Sequence, residues 1–235
     1  MNKNIEIYVT GESDKKFFND FNDNFHIKYL TNCEHKLENI DFLNPYFCEL
    51  TGLFYLWKHS DKNIVGLEQY RRYFLNDDRI FLTENDIIKL LKNYDILCAP
   101  CPNFDFNNVR FSGMFGNKLA FEFASKFWKF KNIYNNILEY GNEKKQLLYS
   151  NMFICNKNII DEYCNFLFND ILNDGKMKQE IAKGIKRSIA WTAEFTFGFW
   201  LEKIKKYNVK YQNNIEFNKI SDIKYIKENE NGSVK

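Results

Sequence analysis

The sequence predicts a single α/β domain. Short apolar runs that read as buried strands alternate with longer apolar or amphipathic stretches that read as helices. Length and composition agree: 235 residues at 45% hydrophobic suffice for one substantial core, and 24 Phe with 14 Tyr are far too many for a disordered chain. No internal repeat or linker-like composition divides the chain. The expected domain is residues 1–217, with a polar, charged tail at 218–235 that is expected to fray.

The first strand is expected at Ile5–Val9, followed by a polar stretch to Asp23 and a short strand at His26–Leu30. Asn44 reads as an N-cap, with Pro45 in the first turn of one helix running to His59. That segment is apolar nearly all round, so it should be buried. Asn63–Leu67 reads as a central strand that empties into Glu68-Gln69-Tyr70-Arg71-Arg72-Tyr73-Phe74. Thr83 with Asp86 three residues on forms a capping box for a helix to Asn93. Asp95–Ala99 is the next buried strand. A loop at Phe104–Gly116 and a helix at Lys118–Lys131 follow, the latter carrying Phe121, Phe123, Phe127, Trp128 and Phe130 as core. Tyr149–Cys155 reads as a strand, Ile159–Leu172 as a helix, Gln179–Lys206 as one long helix or two, and Val209–Gln212 as a last strand.

The charge balance excludes some classes. A net charge of +2 argues against a dedicated nucleic-acid binder, which carries a larger basic excess. RNA binding through the Tyr-Arg-Arg-Tyr-Phe segment would demand strongly salt-dependent affinity and is not expected. No apolar run reaches the ~20 residues needed to span a bilayer. With no secretory segment at its start, the chain is expected to be cytoplasmic with six reduced cysteines. Cys98-Ala99-Pro100-Cys101 has C-x-x-C spacing but ends a strand rather than opening a helix, so a redox role is not expected.

Chemistry concentrates in two places. Ligands of open α/β sheets bind beyond the carboxyl ends of strands, where the Ile64–Leu67 run delivers Arg71 and Arg72. Two guanidiniums beside Tyr70 and Tyr73 suit a planar anion such as a diphosphate; equally, they suit ion pairs with buried carboxylates. Two acids stand in apolar surroundings: Glu49 and, inside Ser188–Trp200, Glu194. Each must be paired, hydrogen-bonded or protonated, because an unpaired buried charge is very costly. A Glu49 ion pair with Arg71 or Arg72 is one outcome; a sugar ligand or general base is the other, with Glu194 the better base because burial raises a carboxyl pKa. No Gly-rich phosphate loop is present, His26, His35 and His59 lack ligand spacing, and neither Asp77-Asp78 nor Asp105 ends a clear central strand.

Three stretches carry a resemblance. Asn44-Pro45-Tyr46-Phe47-Cys48-Glu49-Leu50-Thr51, then Tyr55-Leu56-Trp57-Lys58, then Ile64-Val65-Gly66-Leu67-Glu68-Gln69-Tyr70-Arg71-Arg72-Tyr73-Phe74 closely resemble a bacterial family. It is the capsular-polysaccharide glycosyltransferase family long catalogued as a domain of unknown function. Asn151-Met152-Phe153-Ile154 and Asp161-Glu162-Tyr163-Cys164 resemble its later segments, and Glu194 falls where the family has a Glu in its last long helix. The resemblance spans most of Ile5 to Trp200.

It implies a GT-A-like single domain with a central mixed, mainly parallel sheet flanked by helices. It further implies a nucleotide-diphosphate sugar as co-substrate and a capsular or lipopolysaccharide-type glycan, or a lipid-linked oligosaccharide, as acceptor, with galactofuranosyl or galactosyl transfer among the implied reactions. Peripheral contact with the inner face of the plasma membrane follows from such an acceptor. By the same resemblance Glu194, Arg71 and Arg72 are the expected catalytic residues. Thr10, Asn44, Glu49, Gln69, Tyr70 and Asn151 are expected to bind the donor. No Asp-x-Asp motif is evident, so no metal ligand is expected by residue, although a divalent metal is compatible with such a site. Four positions depart from the family pattern: Gln69 stands for a usual His, Thr10-Gly11 for a usual His-Lys, and Phe195 for a frequent Arg. The alternative is a non-catalytic nucleotide-sugar or glycan-binding protein on the same fold.

Overall fold

The computed structural model describes residues 4–12, 23–101, 147–171 and 186–216. In chain order the elements are β1 (Ile5–Gly11), β2 (His26–Leu30), α1 (Asn44–Phe47), α2 (Leu50–His59), β3 (Ile64–Gln69), β4 (Arg72–Phe74) and α3 (Glu84–Leu91). They continue as β5 (Ile96–Cys101), β6 (Leu147–Asn156), α4 (Lys157–Cys164), α5 (Ser188–Phe199), β7 (Val209–Tyr211) and β8 (Asn214–Glu216). The loop and helix expected between Phe104 and Lys131, with Asp105 and the aromatic run, lie outside the described residues. So do the first part of the stretch beginning at Gln179 and the tail at 218–235.

One sheet joins the strands in the order β2-β1-β3-β6-β5-β7, with β4 and β8 attached as an arm beside β3. β1 pairs parallel with β2 and β3, and β5 pairs parallel with β7. β6 runs antiparallel to both β3 and β5. Along this path every strand except β6 therefore points the same way, giving the mixed, mainly parallel sheet that was expected.

Side chains alternate across the pleat, and both faces are covered. Tyr8, Val65, Leu67, Phe153 and Cys155 face the core shared with α2, α4 and α5, where Leu50, Leu53, Leu56 and Trp200 are buried. Ile7, Met152 and Ile154 face the other core, with Phe74, Leu82 and Ile87. Each fully buried leucine of α2 contributes roughly 2 kcal/mol relative to exposure. Two glycines stand where a side chain would not fit. A Cβ on Gly66 would lie 2.9 Å from the Phe153 carbonyl oxygen, and one on Gly52 would lie 2.5 Å from Thr10 Cγ2. Gly52 is what lets α2 settle directly on β1.

Several elements differ from their expected form. The helix expected over Pro45–His59 is broken: Cys48 takes φ 48 and ψ −124, ending α1 before α2 begins. The Thr51 hydroxyl donates to the Cys48 carbonyl at 2.9 Å, capping the break from within. Asn44 does not cap. The preceding 3-10 turn Asp41–Leu43 already brings it to φ −50 and ψ −37, inside the helix. The strands β4 and β8, each only three residues long, were not expected, because so short a run carries no period. α4 and α5 continue as π-helical turns, Asn165–Ile171 and Trp200–Lys205. The capping box is as expected: Thr83 accepts from Asp86 N at 3.2 Å and its own N–H donates to Asp86 at 3.0 Å. Cys98 is buried within β5, and burial holds its thiol well above the usual range, which leaves it inert. Among the described residues no helix is long and apolar enough to cross a membrane.

Candidate functional site

The carboxyl ends of β1 and β3 lie side by side, with Thr10 opposite Gln69. Tyr70 N–H donates to the Thr10 carbonyl at 2.8 Å, and the Thr10 hydroxyl donates to the Glu68 carbonyl at 3.0 Å. The chain is thus pinned to β1 as it leaves β3. It reverses through Tyr70-Arg71 and returns as β4, with Gln69 opposite Arg72. The Tyr73 hydroxyl locks the reversal by donating to the Tyr70 carbonyl at 2.7 Å.

This reversal sets the two arginines side by side at the sheet edge. Arg72 Nη1 donates to Gln69 Oε1 at 2.9 Å, and the Arg71 guanidinium lies 5.8 Å from the Tyr70 ring centre. Both arginines meet Glu216, which β8 places directly across from Arg72. Arg71 Nη2 lies 3.0 Å from one carboxylate oxygen and Arg72 Nε 3.0 Å from the other.

On the α2–α5 face of the sheet, beside this turn, lies a second polar group. The break after α1 turns Glu49 toward β6, where its carboxylate accepts from Asn151 Nδ2 at 2.8 Å. The same amide donates at 3.5 Å to the Ala190 carbonyl of α5, one turn before Glu194. Arg187 N–H donates to the Pro45 carbonyl at 2.9 Å, tying α1 to the start of α5, and its guanidinium reaches the Cys48 thiol. Asn151 is 2% exposed and Glu194 8%. Asn44 Oδ1, Asn151 Oδ1 and Glu194 Oε2 are buried without a hydrogen-bond partner among the described residues. All three are acceptors, and each left unmet costs free energy.

Electrostatics mark the same place. Burial holds the Glu194 carboxyl well above the usual carboxylate range; Glu49 pushes in the same direction, while Arg72 and Arg187 oppose. Arg72 therefore belongs to the arginine turn and also acts on the buried carboxyl. Burial, reinforced by Glu49, pushes the Cys48 thiol up to about 12, so it is no nucleophile at neutral pH.

The model of the family described as Domain of unknown function (DUF4422) matches residues 19–206. The chain belongs to that family. A solved structure titled WbbM bifunctional glycosyltransferase, in its apo form, shares the fold: the TM-score is 0.71 at 19% identity. The match covers 92% of this chain and 46% of that one, so this DUF4422 chain spans about half the length of its structural neighbour. At that identity the likeness speaks to fold, and the GT-A-like α/β expectation is met there. No curated protein matches the sequence.

Of the residues expected at the site, the DUF4422 fold gathers Asn44, Glu49, Asn151 and Glu194 around α1, β6 and α5, and joins Gln69, Tyr70, Arg71 and Arg72 in one turn. Thr10 lies beneath that turn, 3% exposed, its hydroxyl committed to the Glu68 carbonyl. Further participants went unseen in sequence: Arg187, Glu216 and a partly buried trio on the opposite face. In the trio His26 Nδ1 lies 2.8 Å from Asp23, and His26 Nε2 lies 3.4 Å from Glu68 Oε2. Glu68 Oε1 accepts from Phe74 N–H at 2.8 Å, which holds β4 and hence the arginine turn. Burial opposes charge on His26, but hydrogen bonds and the charges of Glu68 and Asp23 outweigh it and raise its pKa to about 9. Glu68 directly preceding the Gln-Tyr-Arg-Arg motif was the one signal available. Among the described residues no group of three or more His, Cys, Asp or Glu side chains is arranged to hold a metal ion.

Proposed function

We propose that this protein is a glycosyltransferase that moves a sugar from a nucleoside-diphosphate donor to a surface-glycan acceptor. The observation that carries the reading is the set of unmet buried acceptors on Asn44, Asn151 and Glu194, with Glu194 in electrostatic reach of Arg72 from the guanidinium pair. Acceptors alone call for a ligand rich in hydroxyl donors; the arginines beside them call for an anion. A sugar joined to a diphosphate supplies both. The fold shared with a protein titled a glycosyltransferase supports the same class.

In the proposed reaction the diphosphate lies against Arg71 and Arg72, and the sugar hydroxyls donate to Asn44 and Asn151. The acceptor hydroxyl oxygen bonds to the anomeric carbon as the carbon–oxygen bond to the diphosphate breaks. The diphosphate leaves with that electron pair, and its growing charge is stabilised by the two guanidiniums. The acceptor's proton passes to the Glu194 carboxylate, which burial makes a stronger base than an exposed carboxylate. A galactofuranosyl or galactosyl donor is the finer form of the proposal, supported by the family resemblance of the Asn44–Thr51 and Glu68–Phe74 segments.

A panel of nucleotide sugars, with and without manganese, tests the reading by thermal shift and by donor turnover. Ligand binding to the native state raises the melting point by mass action. One nucleotide sugar should stabilise the chain and be turned over, and Arg71→Ala should lower that turnover about a hundred-fold. Undiminished turnover in Arg71→Ala removes the diphosphate role. Binding with no turnover toward any acceptor or water assigns the fold a non-catalytic, sugar-binding use.

A further inference from the structure

We infer that the Glu216 carboxylate competes with a phosphoryl group of the ligand for Arg71 and Arg72, so that binding displaces Glu216 from the pair. This rests on the diphosphate reading of the arginine turn. Three observations carry it. The two oxygens of Glu216 are divided between the guanidiniums, 3.0 Å to Arg71 Nη2 and 3.0 Å to Arg72 Nε. Carboxylate and phosphate are interchangeable partners for such a fork, each offering two oxygens to parallel N–H groups. Glu216 thus occupies the coordination that a phosphoryl group would take.

The second observation is the charge balance. A phosphoryl dianion brings one more negative charge to the two guanidiniums than the Glu216 carboxylate it replaces. The third is what holds each partner. Arg72 is fixed independently of Glu216, through Nη1 to Gln69 Oε1, and its strand is anchored by Glu68 to Phe74 N–H. Glu216 is exposed at 36% and lies at the last residue of β8. Exchange therefore moves the carboxylate and leaves the arginines in place, and a solvent-screened ion pair is weak enough to give way.

An organising role for Glu216 predicts the opposite sign: removing it would let the arginines drift and weaken binding. Isothermal titration of the full chain with inorganic pyrophosphate and with uridine and guanosine diphosphates separates the two. In Glu216→Gln and in Glu216→Ala the affinity for pyrophosphate and for the preferred nucleotide should rise roughly two- to five-fold, the equivalent of losing one exposed ion pair. The gain should shrink as salt is added. Unchanged or weaker binding in both variants, with melting points near wild type, overturns the inference. Arg72→Ala separates this from the underlying reading. If it binds as wild type does, or if wild type binds none of the three probes, the diphosphate reading falls and the inference with it. If Arg72→Ala loses binding while the Glu216 variants bind no tighter, the competition alone is wrong. A response to pyrophosphate without added benefit from a nucleoside marks a general phosphate site, which the competition predicts equally.

Discussion

The protein buries two carboxyl-rich clusters, one on each face of the sheet, and they are built differently. Asp23, His26 and Glu68 form a set closed in charge: a cationic imidazole lies between two carboxylates, and Glu68 also holds Phe74 N–H, although Glu68 Oε2, 3.4 Å from His26, makes no hydrogen bond. Glu49, Asn151 and Glu194 form an open set. Here the carboxyls repel, the cations Arg72 and Arg187 stand at the margin, and acceptor atoms remain unmet. A closed cluster stabilises the native chain by itself. An open one lowers stability and is retained where a ligand completes it. On the proposed reading, the difference separates scaffold from site.

The largest expected effect falls on the closed set. His26→Ala leaves Glu68 buried and uncompensated, and should destabilise the chain by about 3 kcal/mol in chemical denaturation. A loss under about 1 kcal/mol would mean that His26 is not the charge partner of Glu68. The pH profile comes next. His26 has its folded pKa raised to about 9, above its unfolded value, so its contribution is complete below about pH 6.5 and is lost as pH rises through 9. Wild-type stability should fall across that window by up to roughly 3 kcal/mol more than that of His26→Ala. Glu194 also makes stability fall with rising pH, but its contribution starts lower, just above its ordinary carboxyl value. The smallest effect is Thr83→Ala, outside both clusters, which should cost about 1 kcal/mol through its capping box and leave donor binding untouched.

The closed set was illegible in the sequence for a definite reason. His26 and Glu68 sit on β2 and β3, and only the parallel pairing of both with β1 brings them together. The open set was half legible. Glu49 and Glu194 drew attention as lone acids in apolar segments, and Asn151 through a motif. Their convergence needed the break at Cys48, which no local propensity encodes because a non-glycine residue there takes positive φ. The sheet strands were legible because burial on both faces makes continuous apolar runs. Arg187 and Glu216 were not, since a lone charge near a helix start or at the end of a three-residue strand gives no pattern. The arginine turn was recognised by its sequence, yet its pairing with Glu216 depends on β8, a strand too short to anticipate.

Glu194→Gln probes the open cluster most directly, with melting temperature and sugar transfer measured on one preparation at pH 7. Removing a buried ionisable group whose folded form resists ionisation should leave the melting temperature unchanged or raise it, while transfer falls at least a hundred-fold. A clear drop in melting temperature with transfer intact would make Glu194 a structural residue, and the unmet acceptors around it no longer a site.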